Sequence, residues 1–192
     1  REGAWMTMYN LDVAALKSAV AENTTLSKYW NGIVYVDTEG TTTTTTPGSN
    51  EIGTPTSSGR NQTTQIDYID VSTTSTTPKT GVQLVNGGLG NLPLIHGKET
   101  AEQGFTLATN DPLYIRGNFN ADGSIDTGTP DNNRNADNEA TEVMACLAAD
   151  AITVLSNAWT NAKSNLAKES KLAKQTEVSA VFMTGLVGTT VD

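Results

Sequence analysis

Short apolar runs of about five residues, each stopped by Gly, Asn or Asp, recur along this 192-residue chain. They include Gly32-Ile-Val-Tyr-Val-Asp37, Ile66-Asp-Tyr-Ile-Asp-Val71 and Gly81-Val-Gln-Leu-Val-Asn-Gly87. Gly104-Phe-Thr-Leu-Ala-Thr109, Leu113-Tyr-Ile-Arg-Gly117 and Val178-Ser-Ala-Val-Phe-Met183 follow. Runs of this length, rich in β-branched and aromatic residues and bounded by turn formers, read as strands. No long amphipathic helix lies between them. That excludes a doubly wound fold, whose strands alternate with helical patterns of about 10–15 residues. A sandwich, a barrel or a stack of β-coils remains.

Composition agrees with short strands and turns. Charged residues are 17%, below the usual ~25%, and 31 Thr and 17 Asn stand in their place. Thr suits a pleated surface and Asn suits turns. A secreted or cell-surface location, extracellular rather than cytoplasmic, is the expectation. The net charge of −9 excludes a nucleic-acid binder, which needs a basic stripe along the phosphates. It also disfavours anionic membranes. No run approaches the ~20 apolar residues of a membrane span. The opening on Arg1 reads as a processed product or a fragment.

A single domain, 1–192, is expected, with two polar excursions. Residues 38–65 are low in complexity and include six consecutive threonines, Thr41 to Thr46. They lack the apolar periodicity needed to offset ordering entropy. The polar insertion 118–141 is full of Asn, Asp and Gly. Asp12 is placed to cap a short helix carrying Val13, Leu16, Ala19 and Val20. Residues 158–172 read as partly helical. The run Val143 to Leu155 is ambiguous, because its alanines favour helix and Ile152-Thr-Val-Leu155 favours strand. Cys146, the only cysteine, lies in that run and reads as a small buried hydrophobe; no internal disulfide is possible.

Several blocks together resemble a bacterial family. They are Arg1-Glu-Gly3, Leu11-Asp-Val13, Gly32-Ile-Val-Tyr-Val36, Gly81 to Gly87, Gly104 to Asn120, Ala148 to Trp159 and Val178 to Gly185. The chain is similar in these to the C-terminal, β-helix-like region of PilX-like pilus-assembly and type IV pilin-associated surface proteins. The resemblance implies an all-β parallel β-helix or solenoid-like stack, strand rather than helix over 145–156, and other pilus-like or surface-assembly subunits as partners. It brings no catalytic residues. The function expected on this basis is a non-catalytic cell-surface structural or adhesive module of a pilus-like assembly. The alternatives are a polysaccharide-acting β-helix enzyme and a self-assembling extracellular filament subunit.

The best candidate site is Asn118-Phe-Asn-Ala-Asp-Gly-Ser-Ile-Asp126. A Ca²⁺ loop places oxygens at alternate positions with glycine at the sixth. Here the ligands are Asn118, Asn120, Asp122, the Ser124 carbonyl and Asp126, with Gly123 at the bend. The twelfth position is Thr129 where a bidentate Glu belongs, and the competing reading is an Asx-rich turn. His96, the single histidine, lacks the companions of a transition-metal site and reads as a loop residue. Asp67, Asp70 and Asp150 do not form an evident acid pair. Trp5, Trp30, Trp159 and Tyr114 suit either core-capping or stacking on surface glycans.

Overall fold

The computed structural model describes residues 6–38, 79–123, 142–163 and 168–185. Among these residues, eight strands form two four-stranded sheets in which every pairing is parallel. The odd strands make sheet 1: β1 (Met6–Asp12), β3 (Lys79–Val85), β5 (Leu113–Arg116) and β7 (Ile152–Leu155), in that order. The even strands make sheet 2: β2 (Ile33–Val36), β4 (Gly104–Thr109), β6 (Met144–Ala149) and β8 (Val181–Thr184). Successive described strands thus alternate between the two sheets. Two crossovers from sheet 2 to sheet 1 are tight, Asn110 to Pro112 and Asp150 to Ala151. Those from sheet 1 to sheet 2 are long.

The first long crossover holds two helices, α1 (Val13–Glu22) and α2 (Thr24–Tyr29). Asp12 starts α1 by accepting the Ala15 N–H at 3.0 Å, as an N-cap should. Asn23 ends α1, where its own N–H donates to the Ala19 carbonyl. It also caps α2, its side chain accepting from the Leu26 N–H at 2.9 Å. These helices belong to the fold. Val13 and Val20, with Trp30 just beyond α2, are buried in the same cluster as Leu84, Leu107 and Leu147.

This arrangement is a two-layer parallel α/β sandwich, and it corrects several expectations. The class is mixed α/β, not the all-β, parallel β-helix or solenoid-like stack. The physical reason is that the apolar stripe of α1 supplies core side chains that the strand runs alone do not. The resemblance to PilX-like pilus-assembly and type IV pilin-associated proteins implied that class and falls with it. So do the functions read from it: a structural or adhesive module of a pilus-like assembly, a β-helix polysaccharide enzyme, and an extracellular filament subunit.

At the level of elements the ambiguity at 143–155 resolves as two strands, β6 and β7, with a bend at Asp150. Tertiary pairing with β4 and β5 overrides the helix propensity of the alanines. Strand β1 and helix α2 were not foreseen. Residues 158–172 contain single 3-10 turns at Asn161–Lys163 and Lys168–Ser170. The Thr-rich tract from 39 onward and the run 66–71 lie outside the described residues.

The core fills the slot between the sheets. Val82, Leu84, Leu113 and Ile115 point in from sheet 1, and Phe105, Leu107, Ala145 and Leu147 from sheet 2. Phe119, on the crossover after β5, completes it, its ring 6.1 Å from that of Phe105 and tilted by 53°. Buried polar side chains hold the corners. Thr38 and Thr80 both donate to Asp111, at 2.6 and 2.7 Å. Gln103 accepts the Ile95 N–H at 2.6 Å and donates to the Ile95 and Lys98 carbonyls. Gly32 enters β2 at φ +81°, and a Cβ there would strike the Gly104 carbonyl oxygen.

Asn120 is the most consequential of these polar groups. It is buried in the left-handed region at φ +53°. Its amide donates to the Val143 and Ser179 carbonyls, at 2.6 and 3.1 Å, and accepts the Val143 N–H at 3.1 Å. It therefore ties three passes of the chain together.

Two predictions follow from these bonds. Asn120→Ala strands buried backbone groups and should lower stability by roughly 3 kcal/mol, read from urea unfolding; a loss within error would show that the corner relaxes freely. The second concerns Asp12, whose pKa is held below its ordinary value by the backbone bond from Ala15 and then by the Asn86 side chain. A lowered carboxylate contributes stability above its ordinary pKa and loses it as pH falls through the lowered value. The thermal-stability difference between the wild type and Asp12→Asn should therefore change in the acid range and be flat near neutrality. A difference that is constant down to pH 2 would contradict the assignment.

Candidate functional site

Parallel strands with both faces apolar are normally covered on both sides. Here such a cover is seen over part of sheet 1. The chain leaving β7 folds back across it, and Asn161 accepts a hydrogen bond from Gln83 at 3.3 Å. Gln83, on the outward side of β3, is consequently only 1% exposed.

Sheet 2 has no such cover among the described residues. Its register sets Ile33, Thr106, Cys146 and Val181 in one row across the four strands. Tyr35, Ala108, Ala148 and Met183 form the next row. Met144 extends the face beyond the first row. The outer strands carry large side chains and the central strands small ones, so the rows make a shallow trough. Ile33, Tyr35, Met144, Val181 and Met183 are 57%, 58%, 68%, 64% and 60% exposed. No charged side chain lies in either row. Tyr35 is oriented by Asn110, whose amide donates to its hydroxyl at 2.9 Å.

Charge gathers at the two rims instead. Asp37, Asp111 and Asp150 follow the carboxyl ends of β2, β4 and β6. Glu102 and Glu142 precede the amino ends of β4 and β6. Glu102 is paired with Lys98 at 3.5 Å.

A second feature lies at the carboxyl ends of β3, β5 and β7. A cleft of about 280 Å³ is lined there by Asn86, Arg116, Asn118, Asn157 and Trp159. Two asparagines make a rigid floor. Asn157 donates to the Asn118 side-chain oxygen at 2.6 Å and to the Gln175 carbonyl at 2.7 Å, and accepts the Asn118 N–H at 3.0 Å.

The expected calcium loop is only partly within the described residues, since Ser124 and Asp126 fall outside them. The first two positions serve different partners. The Asn118 oxygen accepts from Asn157 and from the Glu177 N–H, and its amide donates to the Asp122 carbonyl at 2.8 Å. The Asn120 oxygen faces the core and accepts from Val143. Among the described residues no cluster of three or more His, Cys, Asp or Glu side chains suits a metal. Calcium binding stays an expectation for the loop as a whole.

The other candidates are placed as follows. His96 is exposed in the loop before β4. Cys146 is half-buried on the outward face of β6, so the expectation of a core cysteine is corrected. Trp30 is buried with the core and Trp159 lines the cleft, while Tyr114 faces outward on β5. Asp150 is exposed at the β6 bend, and Asp67 and Asp70 lie outside the described residues.

Neither surface was singled out from sequence. The signal for the first was present: Ile33-Val-Tyr-Val36 and Met144 to Ala149 are apolar in both phases, which predicts two apolar faces but not which stays bare. Among the described residues no helix is long and apolar enough to cross a membrane. Compared with known proteins, the chain matches no protein-family model, no curated protein and no solved structure.

Proposed function

We propose that this chain is a protein-interaction module whose outer sheet 2 face docks one amphipathic segment, with basic edges, of a partner protein. The observation that carries it is the set of five large apolar side chains, each more than half exposed, spread over adjacent rows without charge. Contiguous exposed apolar surface of this kind marks interaction sites. Size supports a segment over a domain. Four strands spaced ~4.8 Å apart and four to six residues long present a footprint of roughly 300 Å². A stable complex of two folded domains buries about 800 Å² on each partner. One helix or strand fits the trough; a second copy of the chain does not fill it.

Charge narrows the partner further. Acidic rims at both strand ends favour a segment whose apolar stripe is flanked by Lys or Arg. The same rims, with a net charge of −9, oppose self-association and anionic lipid.

Methionine-methyl NMR tests this directly, because the four methionines divide evenly. Met144 and Met183 lie on the proposed face, and Met6 and Met8 lie in sheet 1. A model Leu/Lys amphipathic helix should shift Met144 and Met183 saturably and leave Met6 and Met8 unmoved. A Leu/Glu helix of equal length should bind at least tenfold more weakly, and Met183→Asp should weaken the Leu/Lys helix by a similar factor. Equal response to both peptides, dimerisation that shifts the same methyls, or preference for anionic vesicles would overturn the reading.

A further inference from the structure

The cleft at the carboxyl ends of β3, β5 and β7 is a separate surface, on the other sheet. Its chemistry is unusual for this chain. Arg116 is one of only 12 basic residues against 21 acidic ones, yet its guanidinium makes no ion pair or hydrogen bond among the described residues. It lines a concave site beside the partly exposed indole of Trp159.

We propose that this cleft binds an acidic sugar unit, with the carboxylate on Arg116 and a ring face on Trp159. The guanidinium fork matches one carboxylate through two parallel hydrogen bonds. A single guanidinium is too little for a polyphosphate. An aliphatic acid would want apolar walls, whereas this lining offers one aromatic ring and otherwise amides and glycine. A polyhydroxylated carboxylate uses the guanidinium, the ring and the Asn86 side-chain oxygen. The indole takes the apolar face of a pyranose, as aromatic rings with a polar edge do at wet sites.

Asn86 contributes a hydroxyl acceptor. Its amide nitrogen donates to Asp12 at 2.7 Å, and no described donor reaches its side-chain oxygen. That bond fixes which way the amide points. The Asn118–Asn157 pair spends its hydrogen bonds on the protein, so it shapes the floor and keeps it rigid without competing for the ligand. The volume of about 280 Å³ sits at the lower end of ligand pockets, which suits one sugar unit of a longer chain.

The test uses the whole protein and the indole N–H signals of its three tryptophans. Digalacturonate should shift Trp159 saturably and leave buried Trp30 in place. Digalacturonate methyl ester and neutral digalactose should each bind at least tenfold more weakly. Arg116→Gln should reduce acid binding to the level of the ester while leaving ester binding unchanged, which separates loss of the carboxylate contact from loss of fold. Acetate at equal concentration should not compete. No shift with any sugar, equal binding of acid and ester, or full competition by acetate would each overturn the proposal. None of these results depends on the sheet 2 face, so either surface can fail alone.

Discussion

The apolar layer between the two sheets is the constraint on which everything else depends. Strands β2 to β6 contribute alternate side chains to it, and parallel register aligns those contributions row by row. Leu107, Leu147, Leu113 and Ile115 are essentially inaccessible to solvent. Truncating one such side chain typically costs about 2–5 kcal/mol, a large part of a small domain's total stability. The layer needs Val13, Val20 and Trp30 as well, so the first crossover could not be an arbitrary loop. The helices are there because the slot between the sheets extends beyond what the strands can fill.

Alternation has a second consequence. Side chains opposite the core in each strand must go somewhere, and the two sheets solve this differently. Sheet 1 lies under the chain that follows β7, which buries even a glutamine. Sheet 2 keeps Ile33, Tyr35, Met144, Val181 and Met183 in the open. The same pairing that builds the core therefore aligns the exposed rows. The trough is a by-product of register, with large residues on the outer strands and Thr106, Ala108 and Ala148 between them.

The corners depend on amides. Asparagine tolerates the left-handed backbone of tight turns and has two functions to bond with, so one residue can stop a strand and hold its neighbours. Asn23 caps α2, Asn120 anchors three chain segments, and Asn118 with Asn157 joins the ends of β5 and β7. Once those amides are satisfied internally, the groups left facing solvent at the carboxyl edge of sheet 1 are few. Arg116 and Trp159 are prominent among them, and this is why the cleft has a definite chemistry.

Local chemistry was legible in the residues themselves. Apolar runs bounded by Gly, Asn and Asp mark β2, β4 and β5 because such runs cannot continue past a turn former. Asp12 announces α1 because its carboxylate satisfies an N–H that the helix leaves free. What no local signal carries is partnership. Alanines in β6 favour helix until β4 pairs with them, and Cys146 reads as core until the register turns it outward. The Asn118 and Asn120 spacing does not announce that Asn157 and Val143, distant in sequence, bond the two amides. Which apolar face is covered, and which residues meet in the cleft, follow from contacts between segments 30 or more residues apart. Only the tertiary structure decides those, because burial and pairing are properties of the assembled layers and not of any one run.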